Sequence, residues 1–315
     1  MPFRESFDCL WCGRAHKTRS GEDLEGWAAL CPECVGRAGD NGFLRFRLRA
    51  ALEERTSAGR AAAAGSAATA TSEASAISAA SPSEAADLDE EMKRYYGARA
   101  REYDETYLRR GAQSRGPVLD LGWHRELDES TLWLDALAMG GDIVELAAGT
   151  GWWSPLLAQK GELSIYDANG EPLELARERL VAHGLRAHIH IRDAWQPPDR
   201  EVDAVFCGFW LSHVSRTRLG DFLGIVRSWL KPGGRFAFLD EQASYGSGAP
   251  AGSADERQVR RLSDGREFTI RKVGYTVGEL REALERMGFG DVEVGATATY
   301  FLMGTAVRPP ALTEL

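Results

Sequence analysis

Apolar and polar positions follow two different periods along this chain. The segments DIVELA, GELSIYDA, AHIHIRDA, VDAVFCGFW, GGRFAFLD, VEVGA and TYFLMGTAV are short runs rich in β-branched and aromatic residues, and stretches of helical spacing separate most of the early ones. Such alternation predicts an α/β fold: a seven-stranded, mostly parallel sheet covered by helices on both faces. Only a short stretch separates the last two runs, which predicts a terminal antiparallel hairpin. Upstream, Asp87 to Leu108 reads as a helix opened by the acidic stretch DLDEE, which suits the positive end of a helix dipole. A second helix beyond Pro117 runs to the glycine pair Gly140 and Gly141.

The N-terminal part of the chain reads differently. Residues 1–55 form a head bearing Cys and Trp, residues 56–86 are rich in Ser and Ala, and the alternating region occupies 87–315. The middle stretch has almost no large apolar side chain, so burial cannot offset its ordering entropy, and a flexible linker is expected. Within the head, Phe43, Phe46, Leu48, Ala51 and Leu52 recur at near-helical spacing, predicting a short amphipathic helix with Arg45, Arg47 and Arg49 on its solvated face.

Cysteine placement adds a chemical identity to the head. Cys9-x2-Cys12 and Cys31-x2-Cys34 stand 18 residues apart, the spacing of a four-thiolate structural zinc site. A thiol redox role is the rival reading, but no thioredoxin-like βαβ pattern surrounds the pairs. With all four positions filled by protein, the Zn2+ is expected to be structural, and recognition of protein or RNA is the module's expected purpose. A head of this size has little core of its own without metal.

Charge narrows the partners. The formal net charge of −9 opposes non-specific adhesion to nucleic acid or anionic lipid, and residues 1–60 balance ten basic against nine acidic side chains. No run of eighteen apolar residues occurs and the first residues lack a signal-peptide pattern, so a soluble cytoplasmic protein without a membrane partner is expected.

The strongest signal in the alternating region is DIVELAAGTGWWSPLLAQKG, an apolar strand meeting a small-residue turn and then a helix. Small residues let a ligand approach the backbone, and a helix start favours an anionic group. The next strand ends in Asp167, sixteen residues after Gly151, where a carboxylate can accept both ribose hydroxyls. A dinucleotide enzyme uses the same logic, but this loop departs from G-x-G-x-x-G.

ELAAGTG resembles the first motif of class I S-adenosylmethionine-dependent methyltransferases, an acidic residue followed by G-x-G, with Ala148 replacing a frequent glycine or cysteine. HIRDAW places Asp193 where that family sets an acid against the adenine amino group, and LKPGGRF is similar to its turn into the fifth strand. YYGARAREYDETY is similar to the Y-x-x-x-A-x-x-Y-D segment preceding the core in small-molecule methyltransferases, whose helix lies across the cofactor. The resemblance covers about 140–240 and implies a Rossmann-like methyltransferase domain with S-adenosyl-L-methionine as cofactor. It implies cofactor contacts from Tyr96, Tyr103, Glu145, Ala147, Gly149 and Thr150. Further contacts are implied for Gly151, Asp167, Ala168, Asp193, Ala194 and Phe209.

Beyond the fourth strand, CGFWLSHV places His213 where a general base for the methyl acceptor is expected; a helix-start histidine bonded to backbone is the alternative. Phe209 and Trp210 are expected to shape the pocket, and one of Trp152 and Trp153 to border the cofactor. Asp240 and Glu241 are second-rank acceptor contacts, Cys207 a small buried hydrophobe, and His188 and His190 structural or exposed. The insertion 243–274 alternates in its second half, as a hairpin lid would. The expected activity is methyl transfer to an O, N or C nucleophile of a small molecule. Two alternatives stand beside it: an RNA methyltransferase guided by the zinc module, and a non-catalytic cofactor-binding adaptor whose zinc module binds protein.

Overall fold

The computed structural model describes residues 6–8, 14–17, 82–243 and 256–310. Cys9, Cys12, Cys31 and Cys34, the predicted helix from Gly42 to Arg55 and most of the 56–86 stretch lie outside the described residues. The chain divides into two compact units, 1–76 with 115–125, and 77–114 with 126–315. In the first unit, strand β1 (Ser6–Asp8) pairs antiparallel with β2 (Ala15–Lys17), Phe7 opposite His16. The first cysteine pair falls between these strands in sequence.

The second unit opens with helix α1 (Pro82–Arg99), which starts earlier than the acidic run alone predicts because Pro82 suits a first helical position. It does not continue to Leu108. A 3-10 turn at Ala100–Glu102 and a short α2 (Glu105–Leu108) follow, ended by Arg109 in the left-handed region at φ 51°. Asp104 causes the break: its carboxylate takes Thr150 Oγ1 at 2.6 Å and the Arg179 guanidinium, fixing the chain to the glycine turn. Helix α3 (Pro117–Ala136) begins in the first unit and enters the second at Glu126.

The expected sheet is present, built from β3 (Asp142–Leu146), β4 (Glu162–Asp167), β5 (His188–Ile191), β6 (Val202–Gly208), β7 (Leu230–Glu241), and a later pair. That pair is β10 (Gly290–Ala296) with β11 (Phe301–Val307), after an insertion hairpin of β8 (Arg257–Arg261) and β9 (Glu267–Arg271). The order is β10-β11-β7-β6-β3-β4-β5, parallel from β7 to β5 and antiparallel at β7–β11 and β11–β10. The chain leaves β3 in one direction for β4 and β5 and later returns beside it as β6. Ligand crevices form at such a switch point, outside the strand carboxyl ends.

Helices α4 (Ser154–Ala158), α5 (Gly170–Ala182), α6 (Leu219–Trp229) and α7 (Val277–Arg286) connect the strands. Central strands are buried on both faces, which is why Ile143, Val144, Val205, Phe206, Phe236 and Phe238 form near-continuous apolar runs. Helix α7 starts where a capping box requires: Thr276 Oγ1 accepts from Glu279 N–H at 3.2 Å and Glu279 Oε2 accepts from Thr276 N–H at 2.8 Å. The final hairpin turn hangs on a buried carboxylate, Glu126 Oε2, which accepts the N–H groups of Thr299 and Tyr300 at 2.9 and 2.7 Å. Among the described residues no helix is long and apolar enough to cross a membrane.

Candidate functional site

The carboxyl ends of β3, β4, β5 and β6 open into a cleft. Its floor is the turn after β3. Ala147 at φ 51° and Gly149 at φ 55° adopt the left-handed region, turning the backbone outward beneath the cleft. A Cβ placed on Gly149 meets nothing within 4 Å, so the loop is bare on that side. Gly151 serves a different purpose: at φ 68° it packs so closely on α5 that a Cβ would stand 2.6 Å from that of Ala176.

Asp167, ending β4, fixes the loop and faces the cleft together. Its Oδ2 accepts the N–H of Gly149 and its Oδ1 that of Asn169, each at 2.9 Å. Burial pushes the Asp167 carboxyl up to about 6; the two backbone donors oppose that rise and the charge of Asp193 adds to it. Asp193, beyond β5, folds back so that Oδ1 accepts Trp195 N–H at 3.0 Å. Ala168, Ala194 and Thr150 line the cleft between these two carboxylates.

Helix α1 forms the opposite wall with Met92, Lys93 and Tyr96, which Ala100, at the start of the 3-10 turn, and Tyr103, just after it, continue. It is seated by Asn169 Nδ2, which donates to the Lys93 carbonyl at 3.2 Å. Glycine at 97 permits that approach, since a Cβ there would lie 3.1 Å from Asn169 Oδ1. The Tyr96 and Tyr103 rings meet edge to face, with centroids 5.9 Å apart, and Arg99 stands over Tyr103 at 5.2 Å.

At the far end, Phe209 leaves β6 in the left-handed region at φ 57°, and Trp210 and His213 line the cleft beyond it. His213 Nδ1 lies 2.7 Å from the Arg271 carbonyl, which can only accept, so that nitrogen carries the proton. Nε2 is therefore the lone-pair nitrogen, and it accepts from Tyr96 Oη at 2.7 Å. Burial holds the imidazole well below its ordinary pKa, and the Lys272 charge lowers it further, so it is neutral at physiological pH. Burial likewise raises the Tyr96 phenol, which keeps its proton.

Not every predicted site residue reaches the cleft. Glu145 stands behind the glycine turn, 1% exposed, with Ser154 Oγ at 2.5 Å from Oε2. Gly151 is also behind it, against α5. Neither tryptophan of the pair borders the cleft: Trp152 stacks on Tyr107 at 4.3 Å, and Trp153 fills the space beside Gly208. Asp240 accepts the N–H groups of Ser212 and Glu241, both at 2.8 Å, and Glu241 pairs with Lys272 at 3.1 Å, so both carboxylates are engaged within the fold. Cys207 is fully buried. His188 is exposed beside Glu162 at 3.2 Å and His190 stacks on Tyr166 at 4.5 Å. Among the described residues no group of three or more His, Cys, Asp or Glu could hold a metal ion.

The insertion hairpin β8–β9 does not line the cleft. It packs instead against α1, where Met92, Tyr95, Leu262 and Ile270 share an apolar cluster and Asp89 binds Arg271 at 2.6 Å. Sequence reasoning missed Lys93, although it lies on the same helix face as Tyr96 and Ala100, three and seven residues away.

Burial pushes the Glu145 carboxyl up to about 8, against the Ser154 hydrogen bond that lowers it. A folded-state pKa above the unfolded value gives stability that is complete at low pH and is lost as pH rises from the ordinary Glu range to about 8, by roughly 1 kcal/mol per pH unit. Glu145→Gln should abolish that component. In paired thermal melts from pH 5 to 8.5 the wild-type midpoint is expected to decline relative to the variant, and parallel curves would show that Glu145 is charged throughout.

A family model described as a methyltransferase domain matches residues 143–234. A DhpI–SAH complex aligns with a TM-score of 0.58 and 31% identity over 71% of this chain and 98% of that one. The chain belongs to the class I S-adenosylmethionine-dependent methyltransferases. A DhpI–SAM–HEP complex aligns similarly, with a TM-score of 0.57 and 31% identity over 70% of this chain and 97% of that one. This methyltransferase is also 31% identical, over 39% of its length, to the ubiquinone/menaquinone biosynthesis C-methyltransferase UbiE of Azotobacter vinelandii, covering 51% of that protein. The UbiE of Pseudomonas fluorescens is 31% identical over the same share, with 50% covered. The chain thus spans about half the length of the curated relatives it matches.

Proposed function

We propose that this methyltransferase holds S-adenosylmethionine in the cleft and methylates an O, N or C nucleophile of a small molecule. The observation that carries this reading is the pair of carboxylates, Asp167 and Asp193, at adjacent strand ends beside a glycine turn bare enough for close approach. The cleft wall also holds a buried donor without a protein partner, Trp210 Nε1. The likeness to DhpI, in complexes named for SAM and SAH, supports the same cofactor.

Asp167 is assigned to the ribose hydroxyls and Asp193 to the base amino group, while Ala147, Gly149, Thr150, Ala168 and Ala194 give the shape between them. Tyr96, Tyr103 and Phe209 offer aromatic faces at the end where a sulfonium is favoured. Glu145 and Gly151 act from behind, holding the turn in place. When bound, S-adenosylmethionine supplies an electrophilic methyl group. His213 then acts as base through Tyr96: the acceptor's proton passes to Tyr96 Oη as the phenolic proton passes to His213 Nε2, whose Nδ1–H stays on the Arg271 carbonyl.

The four cysteines of the head are assigned to one structural zinc ion on their spacing. Elemental analysis of the purified full chain should find one zinc per chain, lost in a variant with Cys31 and Cys34 replaced by serine; a metal-free folded wild type would refute the assignment. The acceptor class is tested with methyl-labelled S-adenosylmethionine and a deproteinised cell extract. Label should enter a low-mass product whether or not the extract is nuclease-treated, whereas label confined to RNA, or none transferred, overturns the reading.

A further inference from the structure

Asp193, the carboxylate assigned to the base, is already occupied by a side chain of the protein. Its Oδ1 accepts the backbone N–H of Trp195 at 3.0 Å, and its Oδ2 pairs with Lys93 Nζ at 2.9 Å. Lys93 is held a second time by Glu90 Oε1, at 2.6 Å on the preceding turn of α1. The lysine lies on the helix that walls the cleft, three residues before Tyr96, and its carbonyl is the point at which Asn169 fastens that helix.

An amino group on a purine is a neutral donor that would approach the same carboxylate an ammonium holds. A base amino group seated at Oδ2 competes with Lys93 for that oxygen. The displaced charge is not stranded, because Glu90 is within reach without any movement of the helix and is itself exposed. Lys93 bridges the two carboxylates, so letting go of Asp193 leaves it paired with Glu90 and Asp193 released to the ligand, and this is the latch. The Asp193–Lys93 pair is only partly exposed, at 19% and 32% of the side chains, so it keeps some strength in water yet remains open to screening.

We propose that Lys93 is an internal competitor for the base-recognition carboxylate, tying helix α1 to Asp193 and yielding that carboxylate to the cofactor's adenine amino group while it keeps its bond to Glu90. The proposal rests on the reading of the cleft as an S-adenosylmethionine site. It makes Lys93 a residue that sets cofactor affinity by opposing it, the reverse of what a lining lysine does when it contacts a ligand.

Calorimetric titration of the full chain with S-adenosylmethionine and with S-adenosylhomocysteine tests it, using Lys93→Met, which keeps the aliphatic stem. The variant should bind both compounds more tightly, by about fivefold, the factor that corresponds to one partly exposed ion pair. Added salt should narrow the gap by strengthening wild-type binding. Glu90→Gln, which removes the partner that Lys93 keeps, should weaken wild-type binding, and the double variant should match Lys93→Met. A lysine that only supports the fold would instead lower affinity and melting temperature together. Unchanged or weaker binding by Lys93→Met overturns the latch while leaving the cofactor reading in place. A gain for S-adenosylmethionine alone also overturns it, because that would be repulsion of a cationic ligand. Failure of the folded wild type to bind either compound overturns the cofactor reading and the latch together.

Discussion

Replacing Asp167 by alanine should lower affinity for S-adenosylmethionine by about a hundredfold or more, because charge-assisted hydrogen bonds contribute roughly 1.5–3 kcal/mol each and two ribose hydroxyls are served. The same change removes the acceptor for the N–H groups of Gly149 and Asn169, so the turn beneath the ligand loses its anchor as well. Asparagine should not rescue it, since an amide must turn one N–H against a backbone N–H. The pH dependence distinguishes this carboxylate from its neighbours. Burial raises Asp167 to about 6, and only the charged form accepts both hydroxyls. Wild-type affinity should therefore be flat above that value and fall about tenfold per unit below it, until the complex itself protonates. Calorimetric or fluorescence titrations at pH 5, 6, 7 and 8 measure this, and equal affinity at all four values would remove Asp167 from the ribose.

The second large effect concerns transfer, not binding. His213→Ala should reduce the rate of methyl transfer by about a hundredfold or more, the usual loss for a positioned base, with cofactor affinity changed only severalfold. Tyr96→Phe keeps the ring against Tyr103 but removes the atom through which His213 acts, so it should lose a similar factor. The double variant should be no slower than either single one, because the two side chains work as one path. Additive losses would mean that each has a separate task. The low pKa of His213 leaves the base neutral across the physiological range, so at saturating cofactor the rate should show no acid limb near pH 6.5.

The fold was legible because its strands are buried on both faces: runs such as IVEL and AVFC can be neither surface helix nor solvated strand, and their order with intervening helices leaves few topologies. Site residues at strand ends were legible for the same reason. Asp167 and Asp193 follow β-rich runs directly, and the position fixes their place before any geometry is known. What escaped the sequence depends on side-chain direction. Trp152 and Trp153 sit beside the glycine turn, yet neither lines the cleft, and their rings pack on Tyr107 and Phe206. Lys93 carries no motif, and its importance appears only when α1 is laid against Asp193. Likewise, the helix predicted through Leu108 breaks early because Asp104 bonds to Thr150, a partner 46 residues away that no local pattern contains. The alternation in the insertion's second half was legible as a hairpin, but not its partner: the described strands pack against α1.

The cofactor assignment underlies each of these expectations, and one binding experiment reaches it most directly: calorimetric titration of the folded full chain with S-adenosylhomocysteine, with NAD as the control. Saturable micromolar binding of the first at one site per chain, with no heat from the second, is the expected result. No binding of S-adenosylhomocysteine, or equal binding of NAD, would contradict the assignment of the cleft.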